Sequence, residues 1–300
     1  MRKWLLLGSV AAVCSLAADL PLLPLAQRIG HYEPEKLPPA RAIHGGAPGG
    51  IRGGVRRLPQ AALDRFQTNL TMIDGGLMQP KGGIGYHFSL DHEDGFIIFD
   101  DDAGEYTVNG HTARLKGPVG VPCPMRAAHG YYNPTDQPKE FINIWVSTKK
   151  GVTTNPDAGN NLVEPYPLEK KPPFFVAHYD RALLRPVPNY HGGTGTAQYR
   201  RVVPSEFFQT NWAYHDHLLL PSGSSDGMHA HAGLEEIYFV MKGEGTARVN
   251  NESAPIKRGD AVPMYLNEPH SFNPSSGSEL EFIVFGIAMQ KGVLDTRVIQ

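Results

Sequence analysis
Gly227-Met228-His229-Ala230-His231-Ala232-Gly233-Leu234-Glu235-Glu236, with His270 further along, is the stretch that decides how this chain is read. His229 and His231 are two apart, so on a strand their side chains leave by the same face. A short turn at Ala232-Gly233 resets the alternation and lets Glu236 face the same way. Three neutral imidazoles and one carboxylate form a ligand set for a single divalent transition metal: Mn, Fe, Cu, Ni or Zn. Four protein ligands leave positions for water or substrate on a six-coordinate ion, so metal chemistry is expected here.

Working outward, the chain repeats itself. Phe66-Gln67-Thr68-Asn69 returns as Phe208-Gln209-Thr210-Asn211, a shift of 142 residues that also carries Asp74 onto Asp216, Gly85 onto Gly227, His87 onto His229 and Asp94 onto Glu236. One residue is then lost, and a shift of 141 carries Lys116 onto Lys257, Val121-Pro122 onto Val262-Pro263, His129 onto His270 and Glu140-Phe141-Ile142 onto Glu281-Phe282-Ile283. A series in register is a duplication, here of a unit of roughly 90 to 100 residues.

Each unit reads as β. Phe96–Phe99, Phe141–Val146, Ile237–Met241 and Phe282–Phe285 are short apolar, aromatic or β-branched runs bounded by turn formers. Val108-Asn109-Gly110 and Val249-Asn250-Asn251 read as hairpin turns. No long 3.6-residue apolar period occurs, so helices should be few and short, and each unit a sandwich or barrel. Gly 33 and Pro 26 in 300 residues suit a chain of short strands and many turns.

The segments divide as follows. Residues 1–18 read as an export signal: Met1-Arg2-Lys3 supplies charge, Trp4 to Leu16 is apolar, and Ala17 or Ala18 offers a cleavage site. The apolar run is too short for a comfortable membrane span, so the mature chain is expected to be exported, without one. Cleavage would remove Cys14 and leave Cys123 alone, with no intramolecular disulfide. Residues 19–55 form a Pro/Gly-rich arm, 56–150 the first unit, 151–195 a linker and 196–300 the second unit. Ile43-His44-Gly45-Gly46 and Tyr190-His191-Gly192-Gly193 share a His-Gly-Gly, as if each unit began with the same leading segment. Both stretches read as extended arms across the barrels, with mobile linker as the alternative. A net charge of -2 and no basic run of five residues argue against nucleic acid or an anionic membrane as partner.

Gly227, the His-x-His pair, four residues, Glu236, six residues and Gly243 form one motif; Gly259-Asp260, Pro263, His270 and Asn273 form a second. Together they resemble the cupin superfamily, specifically a two-domain bicupin, over both units. The resemblance implies an all-β chain of two tandem double-stranded β-helix (jelly-roll) barrels. It implies His229, His231, Glu236 and His270 as metal ligands in the mouth of the second barrel, and a small-molecule substrate. Glu235 is a rival to Glu236, but it would put Gly243 out of register. The Pro and Gly that usually precede the last histidine are displaced or replaced here, which touches loop shape more than metal binding.

The first unit departs from the pattern. His87, Asp94 and His129 hold three ligand positions, a degenerate second site, but Ser89 stands where the second histidine belongs, with His92 nearby at a turn. Around the main site, Tyr238 lies two beyond Glu236 and should share its inward face. His215 and His217, on one face of the strand before the His-x-His run, are further pocket candidates. Asp74 and Asp216 read as turn or backbone partners. What the resemblance implies first, with this ligand set, is an exported oxidoreductase, a dioxygenase or an oxalate-decarboxylase-like enzyme. The alternatives are a non-redox sugar isomerase, epimerase or lyase, and a binding or storage bicupin. Homo-oligomerisation is left open.

Overall fold
The computed structural model describes residues 22–162 and 166–299, so the expected export signal lies outside the described residues. Two barrels of the same topology follow one another, as the repeat requires. In the first, strands Ile51–Arg56, Leu70–Met78, Lys139–Ser147, His92–Ile98, Val119–Cys123 and the short Ala177–His178 form the larger sheet in that order. A four-stranded sheet, Gly83–Phe88, Ala128–Tyr132, Asp102–Val108 and His111–Lys116, closes over it. In the second, Thr196–Pro204, Trp212–Leu220, Leu280–Ala288, Leu234–Val249 and Ala261–Met264 repeat that larger sheet.

The long strand Leu234–Val249 serves both sheets of its barrel. Its first half pairs with Leu280–Ala288, and its second half with Glu252–Lys257 and His270–Pro274. Gly243, φ 85°, makes the crossing possible, because a Cβ there would lie 1.7 Å from the Glu279 carbonyl oxygen. At the hairpin after Val108, Asn109 and Gly110 take φ 49° and 81°, as a type I′ turn needs. Asn250, φ 53°, opens the matching turn of the second barrel.

The two larger sheets pack against each other. Ile97, Ile142, Ile144 and Val146 of the first barrel join Trp212, Ile237, Phe239, Ile283 and Phe285 of the second in one buried cluster. The intervening residues, Phe96 and Phe141 or Tyr238 and Phe282, fill their own barrel. Both faces of these strands are therefore dry, and this is why their sequences run apolar without alternating.

The chain before the first barrel crosses to the second. Arg28, buried, bonds the Glu268 carboxylate at 2.9 and 3.0 Å, and Gly30 exchanges backbone hydrogen bonds with Ala261. Residues 154–160 run beside Gly83–Phe88 and satisfy the amides of Tyr86, Phe88 and Leu90. The His-Gly-Gly segments take the same left-handed turn in both arms, with φ of 51° and 62° at His44-Gly45 and 48° and 79° at His191-Gly192. Cys123 is buried, and no described helix is long and apolar enough to cross a membrane.

Candidate metal centre
Strand pairing assembles the second barrel's cluster. His229 sits on Asp226–Ala230 directly opposite His270, His231 just beyond the strand end, and Glu236 on the neighbouring long strand. Each imidazole uses Nδ1 on a backbone carbonyl: His229 to Gly227 at 2.8 Å, His270 to Glu268 at 2.9 Å, His231 to Asp295. That fixes each ring and turns Nε2 inward. Glu236 Oε2 lies 3.1 Å from His231 Nε2 and 3.2 Å from His270 Nε2. One ligand atom from each of the four falls within 4.8 Å of the others.

The cluster is deeply buried, with none of the four residues more than 4% exposed, yet its polar atoms are underused. His229 Nε2 makes no hydrogen bond, and His231 Nε2, close to Glu236, is not aligned for one. Burial holds His229 neutral, pushed down to about 3. Burial presses the same way on His231, but the Glu236 carboxylate beside it prevails and lifts it to about 9. Buried imidazole nitrogens with nothing to bond, next to a carboxylate, fit a cation in their midst.

The next layer of contacts holds these groups in place. Tyr214 donates to Glu236 Oε1 at 2.6 Å, leaving Oε2 for the centre. His191, from the His-Gly-Gly arm, packs on His229 with ring centroids 3.9 Å apart and meets Asp226 at 2.9 Å. The arm comes this close because Gly193 lies against the backbone of the His-x-His strand, where a Cβ would be 2.8 Å from the Gly227 nitrogen. Asp295, near the chain end, caps the amides of Ala232 and Gly233.

A cavity of about 190 Å³ adjoins Glu236 and His231, and its walls include Tyr199, Arg201, Tyr214, Asp216 and Tyr238. Arg201 holds Asp216 through Nε and Nη2, both at 3.0 Å, and Tyr199 donates to the same carboxylate at 2.8 Å. Tyr238 lines this cavity, its hydroxyl 3.4 Å from Asp226.

Two expectations need correction. His215 and His217 do share a face, but it is the outer one. They pair with Phe285 and Ile283, whose side chains meet the other barrel. His215 lies among Phe208, Trp212 and Phe285, and His217 bonds Glu281 at 2.8 Å. Neither lines the cavity beside Glu236. Their strand-mates Tyr214 and Asp216 point inward instead, so Asp216 is a cavity residue and not a turn cap. The sequence reading missed Arg201 and Tyr199, for which no motif gave a signal. His191 could have been found, since the repeated His-Gly-Gly marked it. Glu235 turns away from the cluster and accepts from the amides of Gln67 and Thr68, both at 2.9 Å.

In the first barrel His87, Asp94 and His129 also converge, with ligand atoms within 4.8 Å. His129 Nε2 meets Asp94 at 3.1 Å, and His44 stacks flat on His87 at 4.1 Å. Ser89 replaces the missing imidazole and its buried hydroxyl bonds nothing among the described residues. His92 lies against Trp145 at 4.3 Å and meets Asp91 through Nδ1, and it is not one of the converging residues.

Comparison with known proteins gives a consistent family. Residues 216–286 match the Cupin domain model. An oxalate-binding protein of Thermotoga maritima is 33% identical over 97 residues, covering 32% of this chain and 80% of the relative. A variant of salicylate 1,2-dioxygenase from Pseudoaminobacter salicylatoxidans, solved with gentisate, superposes with a TM-score of 0.63 at 16% identity, over 84% of this chain and 77% of that one. A second variant of that enzyme gives 0.59 at 15% identity, over 74% and 72%.

Proposed function
Because this chain belongs to the cupin superfamily, we propose that it is a metal-dependent oxidoreductase acting on a small organic acid in the second barrel. The ligands would be His229, His231, Glu236 and His270. The observation that carries this reading is the convergence of the three imidazoles, each committed to a carbonyl through Nδ1, with the Nε2 atoms of His231 and His270 at Glu236 Oε2, that of His229 unbonded, and one ligand atom from each of the four residues within 4.8 Å of the others. Bound there, a divalent transition metal supplies Lewis acidity and, as Fe, Mn or Cu, a redox couple.

The chain's own residues would do the rest. Tyr214 holds Glu236 in one rotamer through its short hydrogen bond. Arg201 commits Nε and Nη2 to Asp216, which leaves Nη1 for a substrate carboxylate. The oxalate-binding relative supports a carboxylate ligand, and the 190 Å³ cavity limits it to one of modest size. The tyrosine walls and the Leu294–Thr296 segment keep bulk water away from the buried carboxylate. Export through residues 1–18 remains part of the proposal.

Dioxygen uptake by the Fe-, Mn- and Cu-loaded chain against a panel of oxalate and hydroxybenzoates tests the reading. We expect uptake, or decarboxylation that needs air, with one acid of the panel. Turnover that continues unchanged under nitrogen with Zn would rule out redox chemistry.

A further inference from the structure
The first barrel contains polar atoms that have nothing to bond. Asp74 Oδ1, Asn143 Oδ1 and Trp145 Nε1 are shielded from water and make no hydrogen bond. Strand pairing sets Asp74 opposite Asn143, and Trp145 two residues along, opposite Met72, so all three project from the same face of the sheet. They line one cavity of about 190 Å³, together with Arg41 and His87. Asn143 is only 8% exposed. Buried donors and acceptors are nearly always satisfied, so three orphans around one cavity point to a missing polar occupant.

The second barrel is an internal control. There the equivalent pair is Asp216 opposite Val284, with Gly286 in the place of Trp145. Asp216 is fully engaged by Arg201 and Tyr199. The duplicated scaffold therefore does not require an unpaired Asp, an Asn or a Trp at these positions. The first barrel has its own polar set.

Its chemistry narrows the occupant. Two acceptor oxygens side by side need two donors, and the indole N–H needs an acceptor. Arg41 and Asp74 bring opposite charges to the lining, and Ile43 and Phe141 an apolar wall. At ~30 Å³ per water the space equals about six waters, enough for one ring. We propose that the first barrel binds an uncharged single-ring molecule with hydroxyls on neighbouring carbons, which donate to Asp74 and Asn143 while one oxygen accepts from Trp145. A monosaccharide and a catechol share this chemistry.

Calorimetric titration of the full, metal-loaded chain with glucose, myo-inositol and catechol tests it, repeated on His231→Ala to remove binding at the second barrel. We expect saturable binding of at least one probe, retained in His231→Ala and weakened by about tenfold or more in Asn143→Val and Trp145→Phe. A response to catechol alone identifies an aromatic diol, and a response to the other two a sugar-like ligand. Asn143→Val copies the residue of the second barrel and should fold; if it melts early, Trp145→Phe gives the same reading. No saturable binding of any probe, equal binding by the variants, or a high-resolution crystal structure soaked in the probes with only ordered water on these atoms overturns the proposal.

Discussion
Glu93 and Glu235 occupy the same position in the two barrels, and each reaches across to the other barrel's Phe-Gln-Thr-Asn turn. Glu235 accepts from the amides of Gln67 and Thr68, while Glu93 accepts from those of Gln209 and Thr210 and from the Thr210 hydroxyl at 2.6 Å. The four-residue identity that revealed the repeat is thus the receiving end of a reciprocal clasp.

Breaking the clasp should loosen the pair of barrels. Glu235→Gln and Glu93→Gln are each expected to cost about 1–3 kcal/mol in urea unfolding, because charge-assisted bonds to buried amides are weakened. Glu93→Gln should cost more, having three donors to lose. Metal content of Glu235→Gln should be unchanged, which also separates Glu235 from Glu236 as ligand. A loss of the ion with no loss of stability would reverse that assignment.

Tyr214→Phe should leave the fold intact and free Glu236 Oε1. Removing a group that orients a ligand typically weakens metal binding by about 10- to 100-fold, to be read by competition with a chelator. An unchanged affinity would mean that Tyr214 merely fills space.

Arg201→Ala strands the buried Asp216 carboxylate and should cost about 3 kcal/mol or more. The pair Arg201→Met with Asp216→Leu should regain much of that stability in a thermal melt without regaining substrate affinity. Recovery of both would remove Arg201 from substrate binding.

Asp74 gives a pH signature. Burial raises its carboxyl from 3.8 to about 6, against the pull of Arg56, Arg41 and Arg57. A pKa raised by folding means that the folded state holds the proton more tightly. Its contribution is full below pH 3.8 and is lost as pH rises through 6. Asp74→Asn should therefore match the parent near pH 4 and exceed it near pH 7 by about 1–2 kcal/mol, allowing for partial exposure. Parallel stability curves would show that Asp74 ionises freely.

Ligand spacing and the repeat made the barrels and the converging cluster legible, because both depend on short-range alternation and on register between copies. Alternation alone could not say which face of Trp212–Leu220 was inward, since both faces are dry; His215 and His217 were misplaced for that reason. Arg201 reaches Asp216 across a strand pair with Arg201 and Asp216 in register, and pairing across strands is invisible in a single sequence. The apolar runs around Ile97 and Ile283 read only as strands, and nothing in them said that the chain's own other barrel would cover their outer face.

The most direct measurement is elemental analysis of the intact chain beside His229→Ala, His270→Ala and His87→Ala. The account predicts tightly held metal in the parent and in His87→Ala, and its loss from the two second-barrel variants. Equal metal in all four proteins would contradict it.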